Sequence, residues 1–412
     1  MEFSEGDDAE SLQFKKYARI HCYSLAIALY LWDKPHYRKG SYAEDLRDNL
    51  RNVAIPGTGI PLNLVVCNKL VAVSFLLFIV PIVCLIATLN YVLFSTIDGN
   101  EKKGTEDFIK EFKTRLLAPD DWFSYWRLNC RLAALHSYLN NNPEGYEMEN
   151  KWTFLEEGDK RGVPVSPFLT TSGIVVKHKN EEGGMGIHFF KNATAGGDWI
   201  IQERIDNSKW VSSLLPEQAP LSTFRVITQS RASINWKKDK SLDPSEIKSL
   251  SCVFRAGRAG ASTDHDSILF DIDPCTGTIL RGTTNAHWYR LGLHEALPGR
   301  CPWRSSHDYT HHPDADILVE GNKVPNFEET LKLVESSHMK LCPDVPLVGW
   351  DVVLSADKKV PVCLLEVNLS CNFFRGSFDK DMYLEFMDDS FRALHKQRFD
   401  FEEKGDKEKK LQ

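Results

Sequence analysis

The fold is decided by one stretch of sequence: residues 349–368 read GWDVVLSADKKVPVCLLEVN. Two apolar runs flank a polar turn at 355–359, a pattern that predicts two paired β-strands. Side chains alternate along a strand, so Glu366 and Asn368 share one face, and pairing of the strands brings Asp351 to the same place. Three oxygen donors that converge suit Mg²⁺, a hard cation that bridges nucleotide phosphates. The alternative is a polar pair on an exposed sheet face.

Two weaker features lie upstream of this stretch. A predicted strand ends at Lys177 and is followed at 183–186 by the turn GGMG, whose backbone N–H groups could approach phosphate oxygens. The apolar run that begins at Trp199 leads into Gln202-Glu203. This segment could supply hydrogen bonds to a nucleotide base and a carboxylate to its ribose. Taken alone, the first feature is more often a plain turn, and the second a strand end with solvated charges.

The order of these features resembles the ATP-grasp fold. The branch that the chain resembles is the sugar-transfer-associated group, through LSTFRVIT at 221–228, FRAGR at 254–258 and the GWD and LEVN ends of the opening stretch. The resemblance covers roughly residues 151–394. It implies an α+β fold in which two lobes enclose ATP. The last motif is specific, whereas the glycine turn is not.

The resemblance also implies a role for individual residues. Most relatives make an acyl phosphate from a carboxylate and ATP, and a nucleophile then displaces phosphate. By resemblance, Mg²⁺ would be held by Asp351, Glu366 and Asn368. ATP would be bound by Lys151, Lys177, Gly183, Gly184, Gly186, Gln202 and Glu203. The cations on the γ-phosphate or on an anionic acceptor would be Arg225, Arg255 and Arg258.

The sequence departs from the family pattern in two places. Ligases that join amino acids often carry an arginine two residues before the first metal carboxylate, and that position is Gly349 here. After Arg258 the branch has an Asp-Asn step and paired glycines, whereas residues 261–267 read ASTDHDS. The cluster HDYTHHPDAD at 307–316 is interpreted as a solvated or acceptor-binding loop rather than a zinc site. The acceptor side is therefore the least defined part of the site.

A separate apolar segment precedes these motifs. Residues 70–97 contain no charged side chain, and about 20 apolar residues suffice to cross a bilayer as a helix. The run therefore predicts a transmembrane helix with a kink at Pro81, and a buried helical hairpin is the alternative. More basic residues follow the run than precede it, which places the C-terminal part in the cytosol. The expected location is that of a single-pass membrane protein with a cytosolic catalytic domain.

The composition of the 412 residues is that of a folded protein, with 42% hydrophobic residues and a net charge of -7. The acidic balance makes nucleic acid a poor first partner. The ten cysteines have no zinc-ligand spacing, so free thiols are expected rather than a disulfide framework. The predicted domains are an N-terminal region (1–63) with a core or interfacial helix at 23–32, a transmembrane helix (64–98), a helical linker (99–149), an ATP-grasp domain (150–397) and a charged, disordered tail (398–412).

The sequence as a whole predicts a membrane-anchored ligase that depends on ATP and Mg²⁺. The enzyme would activate a carboxylate as an acyl phosphate and join it to a nucleophile. Its acceptor would be a small molecule or a glycoconjugate precursor. Two alternatives stay open: an ATP-grasp kinase that phosphorylates a hydroxyl group, and a non-catalytic nucleotide-binding scaffold on a membrane.

Overall fold

The computed structural model describes residues 9–51, 62–66, 68–97, 104–118, 122–141, 144–180, 185–234, 243–263, 267–284, 309–371 and 377–411. Within them helices and strands combine in a mixed α+β fold. The helices are α1 (Ala9–Leu31), α2 (Tyr42–Leu50), α3 (Lys69–Ser74), α4 (Val80–Ile97), α5 (Thr105–Leu117), α6 (Trp122–Leu139), α7 (Lys151–Lys160), α8 (Lys209–Ser212), α9 (Phe327–Leu341) and α10 (Lys380–Leu411). The strands are β1 (Gly173–Lys177), β2 (Ile187–Lys191), β3 (Thr223–Ser230), β4 (Ile247–Ala256), β5 (Ile268–Ile272), β6 (Ile279–Thr284), β7 (His311–His312), β8 (Ile317–Leu318), β9 (Leu347–Leu354) and β10 (Val362–Asn368).

The central element is an antiparallel six-stranded sheet in the order β10-β9-β3-β4-β5-β6. The predicted pairing of β9 with β10 is confirmed, with Asp351 opposite Glu366. Strand β3 pairs with the other edge of β9 and places Arg225 opposite Asp351. Strands β1 and β2 form a separate antiparallel hairpin. Sequence patterning does not predict β4, because Lys248 and Ser249 interrupt its apolar residues.

Apolar cores lie on both faces of the sheet. On one face Phe254 and Trp350 pack with residues of α7 and α9. On the other face Ile227 and Leu347 pack with residues of α1, α6 and α10. Side chains of a strand alternate between faces, so Asp351, four residues after Leu347, lies on this second face. The helices thus cover one end of the second face, and charged residues occupy the part beyond it.

Helix α1 belongs to the same core as the C-terminal helix. Its residues Ile20, Ile27 and Leu31 are each 1% exposed, and they cluster with side chains of α6 and α10. This burial favours the core-helix alternative for residues 23–32 over the interfacial one. The predicted boundaries at 63 and 150 do not separate packing units, because α1, α6 and α10 share one apolar core.

The long apolar segment is helical. Among the described residues, the helix Lys69–Val92 is long and apolar enough to cross a membrane. In its most apolar stretch, 22% of the residues are buried. That small share does not support the buried-hairpin alternative. A π-helical turn, Phe75–Ile79, ends two residues before Pro81. The proline ring removes a backbone hydrogen-bond donor, and this is the place at which the sequence predicts a kink.

The C-terminal tail differs from its prediction. Residues 398–412 are expected to be disordered, whereas α10 continues to Leu411. The tail is rich in Glu and Lys, which have high intrinsic helix propensity and allow the helix to extend beyond its packed part.

Candidate active site

The charged residues of the site form a row across the sheet. Glu366 on β10 lies opposite Asp351 on β9, and Asp351 lies opposite Arg225 on β3. Residues that face each other across neighbouring strands project from the same face of a sheet. Three strands therefore bring two carboxylates and a guanidinium group together, although β3 is more than 100 residues distant from β9 in sequence.

Asp351 is bound by two arginines. The Nη2 atom of Arg225 donates to Oδ2 of Asp351 at 3.1 Å, and Nε of Arg225 donates to Oδ1. Nη1 of Arg255, on β4, donates to Oδ2 at 3.3 Å. Asp351 is only 4% exposed, and burial alone would raise the pKa of its carboxyl group. The two guanidinium groups outweigh burial and hold that pKa below its usual value.

Glu366 is paired with the lysine that begins α7. Nζ of Lys151 lies 2.7 Å from Oε2 of Glu366, and the two side chains are 66% and 26% exposed. The helix start is fixed by Asn150, whose side-chain oxygen accepts from the backbone N–H groups of Trp152 and Thr153. Such a cap satisfies donors that have no partner inside the helix. The cap therefore holds Lys151 over β10.

Asn368 and Glu366 fit a magnesium site better than Asp351 does. Nδ2 of Asn368 is buried without a hydrogen-bond partner, and a half-turn of the amide would present Oδ1 to the same space. Glu366 is partly exposed, and its partner Lys151 is solvent-accessible. Both oxygens of Asp351, in contrast, already accept from arginines. Among the described residues no group of three or more His, Cys, Asp or Glu side chains is placed to hold a metal.

Gly349 marks the first departure from the family pattern, and the structure gives its physical reason. A Cβ atom at position 349 would lie 2.7 Å from Cβ of Cys371 and 3.4 Å from Cδ of Arg225. The space next to Gly349 is thus filled by Arg225, which reaches in from the neighbouring strand. A cation is present beside Asp351, but it comes from β3 instead of from β9.

The predicted phosphate-binding residues lie on the β1–β2 hairpin. Lys177 pairs with Ile187 and Val175 pairs with Phe189, so these four side chains share one face of the hairpin. Phe189 is 76% and Val175 is 49% exposed. Gly186 closes the turn with a φ of 64°, in the left-handed region that favours glycine. Gly183 and Gly184 lie outside the described residues.

Gln202 and Glu203 lie next to the segment that leads to β1, and not on a strand of their own. Gln202 forms an isolated bridge with Phe168, and its amide donates to the hydroxyl of Ser166. The backbone N–H of Glu203 donates to Pro167 O at 3.0 Å. The backbone N–H of Ser166 in turn donates to Leu364 O of β10 at 3.1 Å. Gln202 and Glu203 are therefore connected to β10, the strand that carries Glu366, through residues 166–168. The side chain of Glu203 is exposed.

Arg258 is paired with an aspartate in the loop after β7. Its guanidinium group makes a bidentate salt bridge with Asp314, with both N–O distances at 2.6 Å. The backbone N–H of Ala259 donates to the same carboxylate. His312 lies beneath this pair, with Nε2 at 3.0 Å from Gly257 O. The part of the 307–316 cluster from Tyr309 onward, interpreted from sequence as a loop, thus anchors the loop after β4. His307 lies outside the described residues.

Asp271 on β5 was missed by sequence reasoning. It is 8% exposed and lies opposite Val253, which lies opposite Arg225, so it extends the row of charged residues. Its Oδ1 accepts from the backbone N–H of Ser377 at 2.6 Å. A single carboxylate within the apolar run ILFDI was the available signal. Asp271 thus fixes Ser377, shortly before α10, over this face.

Comparison with known proteins agrees with the resemblance stated from the sequence. The model of the family described as sugar-transfer associated ATP-grasp matches residues 301–374. This segment is less than a fifth of the chain, and it contains β9 and β10 with Asp351, Glu366 and Asn368. The predicted resemblance is confirmed, and at a coarse level it indicates an ATP-dependent, ligase-like enzyme. A search of curated proteins found no match.

Proposed function

We propose that the protein is an ATP- and Mg²⁺-dependent ligase that activates a carboxylate as an acyl phosphate and joins it to a nucleophile. The observation that carries this proposal is the row of Glu366, Asp351 and Arg225 on one sheet face, with Lys151 and Arg255 beside it. Phosphoryl transfer needs positioning and neutralisation of charge more than a general base. Cations and carboxylates that are fixed before the reaction provide this.

The side chains of the β1–β2 hairpin support the proposal that a nucleotide binds between two lobes. Its face combines the exposed apolar side chains of Val175 and Phe189 with the amine of Lys177. An adenine ring needs an apolar surface, and phosphates need a positive charge. Glu203, joined through the 166–168 segment to β10, is placed in our proposal at the ribose.

We assign the two metal-binding oxygens to Glu366 and Asn368. Mg²⁺ held by these two residues would supply positive charge to the phosphates, and Lys151 would be released to the nucleotide. Asp351 is assigned a positioning role, because it holds Arg225 and Arg255 in fixed orientations. Arg258, paired with Asp314, is assigned to the acceptor side.

The proposed reaction has two steps. An oxygen of the acceptor carboxylate attacks the γ-phosphorus of ATP, and the bond to ADP breaks. A nucleophile such as an amine then attacks the acyl carbon, loses a proton and releases orthophosphate. Arg255 and Arg225 offset the negative charge that gathers around the transferring group. The acceptor would be a small molecule or a glycoconjugate precursor, and the apolar helix Lys69–Val92 would attach the enzyme to the cytosolic face of a membrane, where ATP is available.

Trapping with hydroxylamine separates a ligase from a kinase. The full chain is incubated with ATP, Mg²⁺, hydroxylamine and a pool of small-molecule carboxylates extracted from cells. A ligase yields hydroxamate and orthophosphate, because hydroxylamine displaces phosphate from the acyl phosphate. We expect Glu366→Gln to reduce hydroxamate formation at least about 100-fold.

Glu328→Gln is the control, since Glu328 also pairs with a lysine, Lys332, at 2.6 Å, but on the exposed surface of α9. It should retain wild-type activity. A stable phosphorylated product without hydroxamate would establish the kinase instead. ATP binding without turnover over the whole pool would favour the scaffold.

A further inference from the structure

We propose that the apolar helix Lys69–Val92 lies along one leaflet of the bilayer and does not cross it, so that the parts of the chain before and after it are on the same side. This inference rests on the membrane attachment proposed above and replaces the single-pass topology. Three independent observations support it. They are the contacts between the parts of the chain before and after the helix, the packing of the charged helix α5 against it, and the exposure of its side chains on one side only.

The first set joins the chain before the apolar helix to the chain after it. Arg19 on α1 makes two hydrogen bonds to Asp388 on α10, at 3.0 and 2.5 Å. Arg38, beyond α1, contacts Glu149 at 2.5 Å and Ser370 at 2.5 Å. A helix that crossed the bilayer would separate these partners by a hydrocarbon layer about 30 Å thick. Their contacts require one side.

The second set places α5, a helix with charged side chains, along the second half of the apolar helix. Helix α5 returns along α4, and Sγ of Cys84 lies 3.6 Å from Arg115 O. The guanidinium group of Arg115 lies 5.3 Å from the ring centre of Tyr91 and pairs with Glu111 at 2.8 Å. In a spanning helix Cys84 would be near the bilayer centre, so the end of α5 that carries Glu111 and Arg115 would lie within the hydrocarbon layer. A charged side chain there is costly, by about 2.5–3.5 kcal/mol or more at the centre. This side of the helix therefore faces protein and water.

The third set is the difference between the two sides of the helix. The side toward the protein carries small or medium residues that are at most 8% exposed: Ala72, Val80, Cys84, Ala87 and Thr88. The outward side carries large hydrocarbon side chains between 39% and 78% exposed: Leu70, Leu77, Phe78, Ile79, Ile82, Leu85, Ile86 and Leu89. A contiguous apolar face of this extent is not typical of a surface exposed to water. The helix therefore has one side covered by protein and one exposed hydrocarbon side, so a single leaflet can take up the exposed side while the covered side stays on the protein.

A lipid leaflet fits this outward face better than a protein partner. Protein interfaces combine an apolar centre with a polar rim and hydrogen bonds. Here the outward large side chains are hydrocarbon over the whole run from Leu70 to Leu89. Lys69 and Tyr91 stand at its two ends, and a lysine and a tyrosine at such positions can direct their polar tips toward lipid headgroups. The occupant is therefore assigned as the acyl-chain region of one leaflet.

Topology mapping on the full chain tests the proposal. Epitope tags are added at the N- and C-termini, and the protein is expressed in cells whose plasma membrane is then opened selectively before protease is added. We expect both tags to be digested together while the protein stays in the membrane fraction. Digestion of one tag and protection of the other would establish a crossing helix and overturn the proposal. A protein that remains in the soluble fraction would overturn membrane attachment itself, and this result is distinct from the first.

Vesicle binding supplies the second arm. Purified full-length protein is mixed with vesicles of phosphatidylcholine and phosphatidylserine, and the pelleted fraction is measured. We expect the double variant Phe78→Glu, Ile82→Glu to lower the ratio of bound to free protein at least about tenfold, since both side chains enter the leaflet. Phe399→Glu, at an exposed position on α10, is the control and should bind like wild type. Unchanged binding of the double variant, or a wild type that forms dimers through this face and ignores vesicles, would overturn the proposal.

Discussion

Replacement of Asp351 by Asn should destabilise the protein strongly. The substitution removes one negative charge from a site where Asp351 is 4% and Arg225 is 6% exposed. Removing one partner of a buried ion pair leaves an uncompensated charge and typically costs about 3–5 kcal/mol. For a domain of this size we expect the melting temperature to fall by about 5–15 °C.

The assay is thermal unfolding of the full chain in detergent micelles, followed by circular dichroism. Asp389→Asn is the matched control, because Asp389 also pairs with an arginine, Arg231, but both side chains are at least 40% exposed. Exposed pairs contribute about 0–1 kcal/mol, so this control should shift little. A double variant that combines Asp351→Asn with Arg225→Met should recover part of the loss, with a coupling free energy of about 2 kcal/mol or more.

Two results would show that Asp351 is not part of a buried ion-pair network. If Asp351→Asn and Asp389→Asn lower the melting temperature equally, the Asp351 cluster is not a buried ion-pair network. If the losses of Asp351→Asn and Arg225→Met simply add, the two side chains do not interact in the folded protein.

Three further predictions concern the supports of the site. Asn150→Ala removes the N-cap of α7 and should lower the free energy of unfolding by about 1 kcal/mol. Because the cap holds the first turn of α7, which carries Lys151, affinity for an ATP analogue, measured by calorimetry, should fall as well. Gly349→Ala places a methyl group against Cys371 and should cost about 1–3 kcal/mol in urea unfolding. Burial lowers the pKa of His338 from 6.5 to about 4, so its contribution to stability is complete above pH 6.5 and is lost as the pH falls toward 4. The free energy of unfolding of the wild type should therefore fall with decreasing pH in this range. In His338→Gln the slope of this fall should be smaller, by up to about 1.4 kcal/mol per pH unit.

Each of these predictions has a control at a position without the supposed role. Ser41→Ala removes the cap of α2 and should lower stability while leaving nucleotide affinity intact. Gly104→Ala, at the N-cap of α5, meets the Asp107 carboxylate at 3.8 Å; it loses only the preference of an N-cap for glycine over alanine and should cost less than Gly349→Ala. His311→Gln, at an exposed position, should keep the wild-type pH profile. Equal effects of a variant and its control would contradict the corresponding prediction.

The local part of the site was predictable from the sequence. Alternation in CLLEVN places Glu366 and Asn368 on one face, and a polar turn between two apolar runs predicts the hairpin that brings Asp351 beside them. These inferences need only neighbouring residues and the two-residue period of a strand.

The rest depends on strand order and packing, which short patterns do not encode. Arg225 reaches Asp351 only because β3 pairs with β9. Likewise, α1 packs on α10 although more than 300 residues separate them. A run of hydrocarbon residues predicts contact with lipid equally well for a crossing helix and for one that lies flat. The contacts of Arg19 and Arg38 with the C-terminal part distinguish the two, and the sequence does not show them.

In the proposed function, Glu366 and Lys177 belong to one Mg²⁺-nucleotide site. The most direct test is the melting temperature of the full chain in micelles, with and without Mg²⁺ and a non-hydrolysable ATP analogue. At about one hundred times its dissociation constant the ligand should add roughly 2.7 kcal/mol, or several degrees, to the wild type. We expect Glu366→Gln and Lys177→Ala to lose this Mg²⁺-dependent rise, and Glu328→Gln and Lys332→Ala to keep it. A well-folded wild type that shows no rise, or variants that rise as the wild type does, would contradict the account.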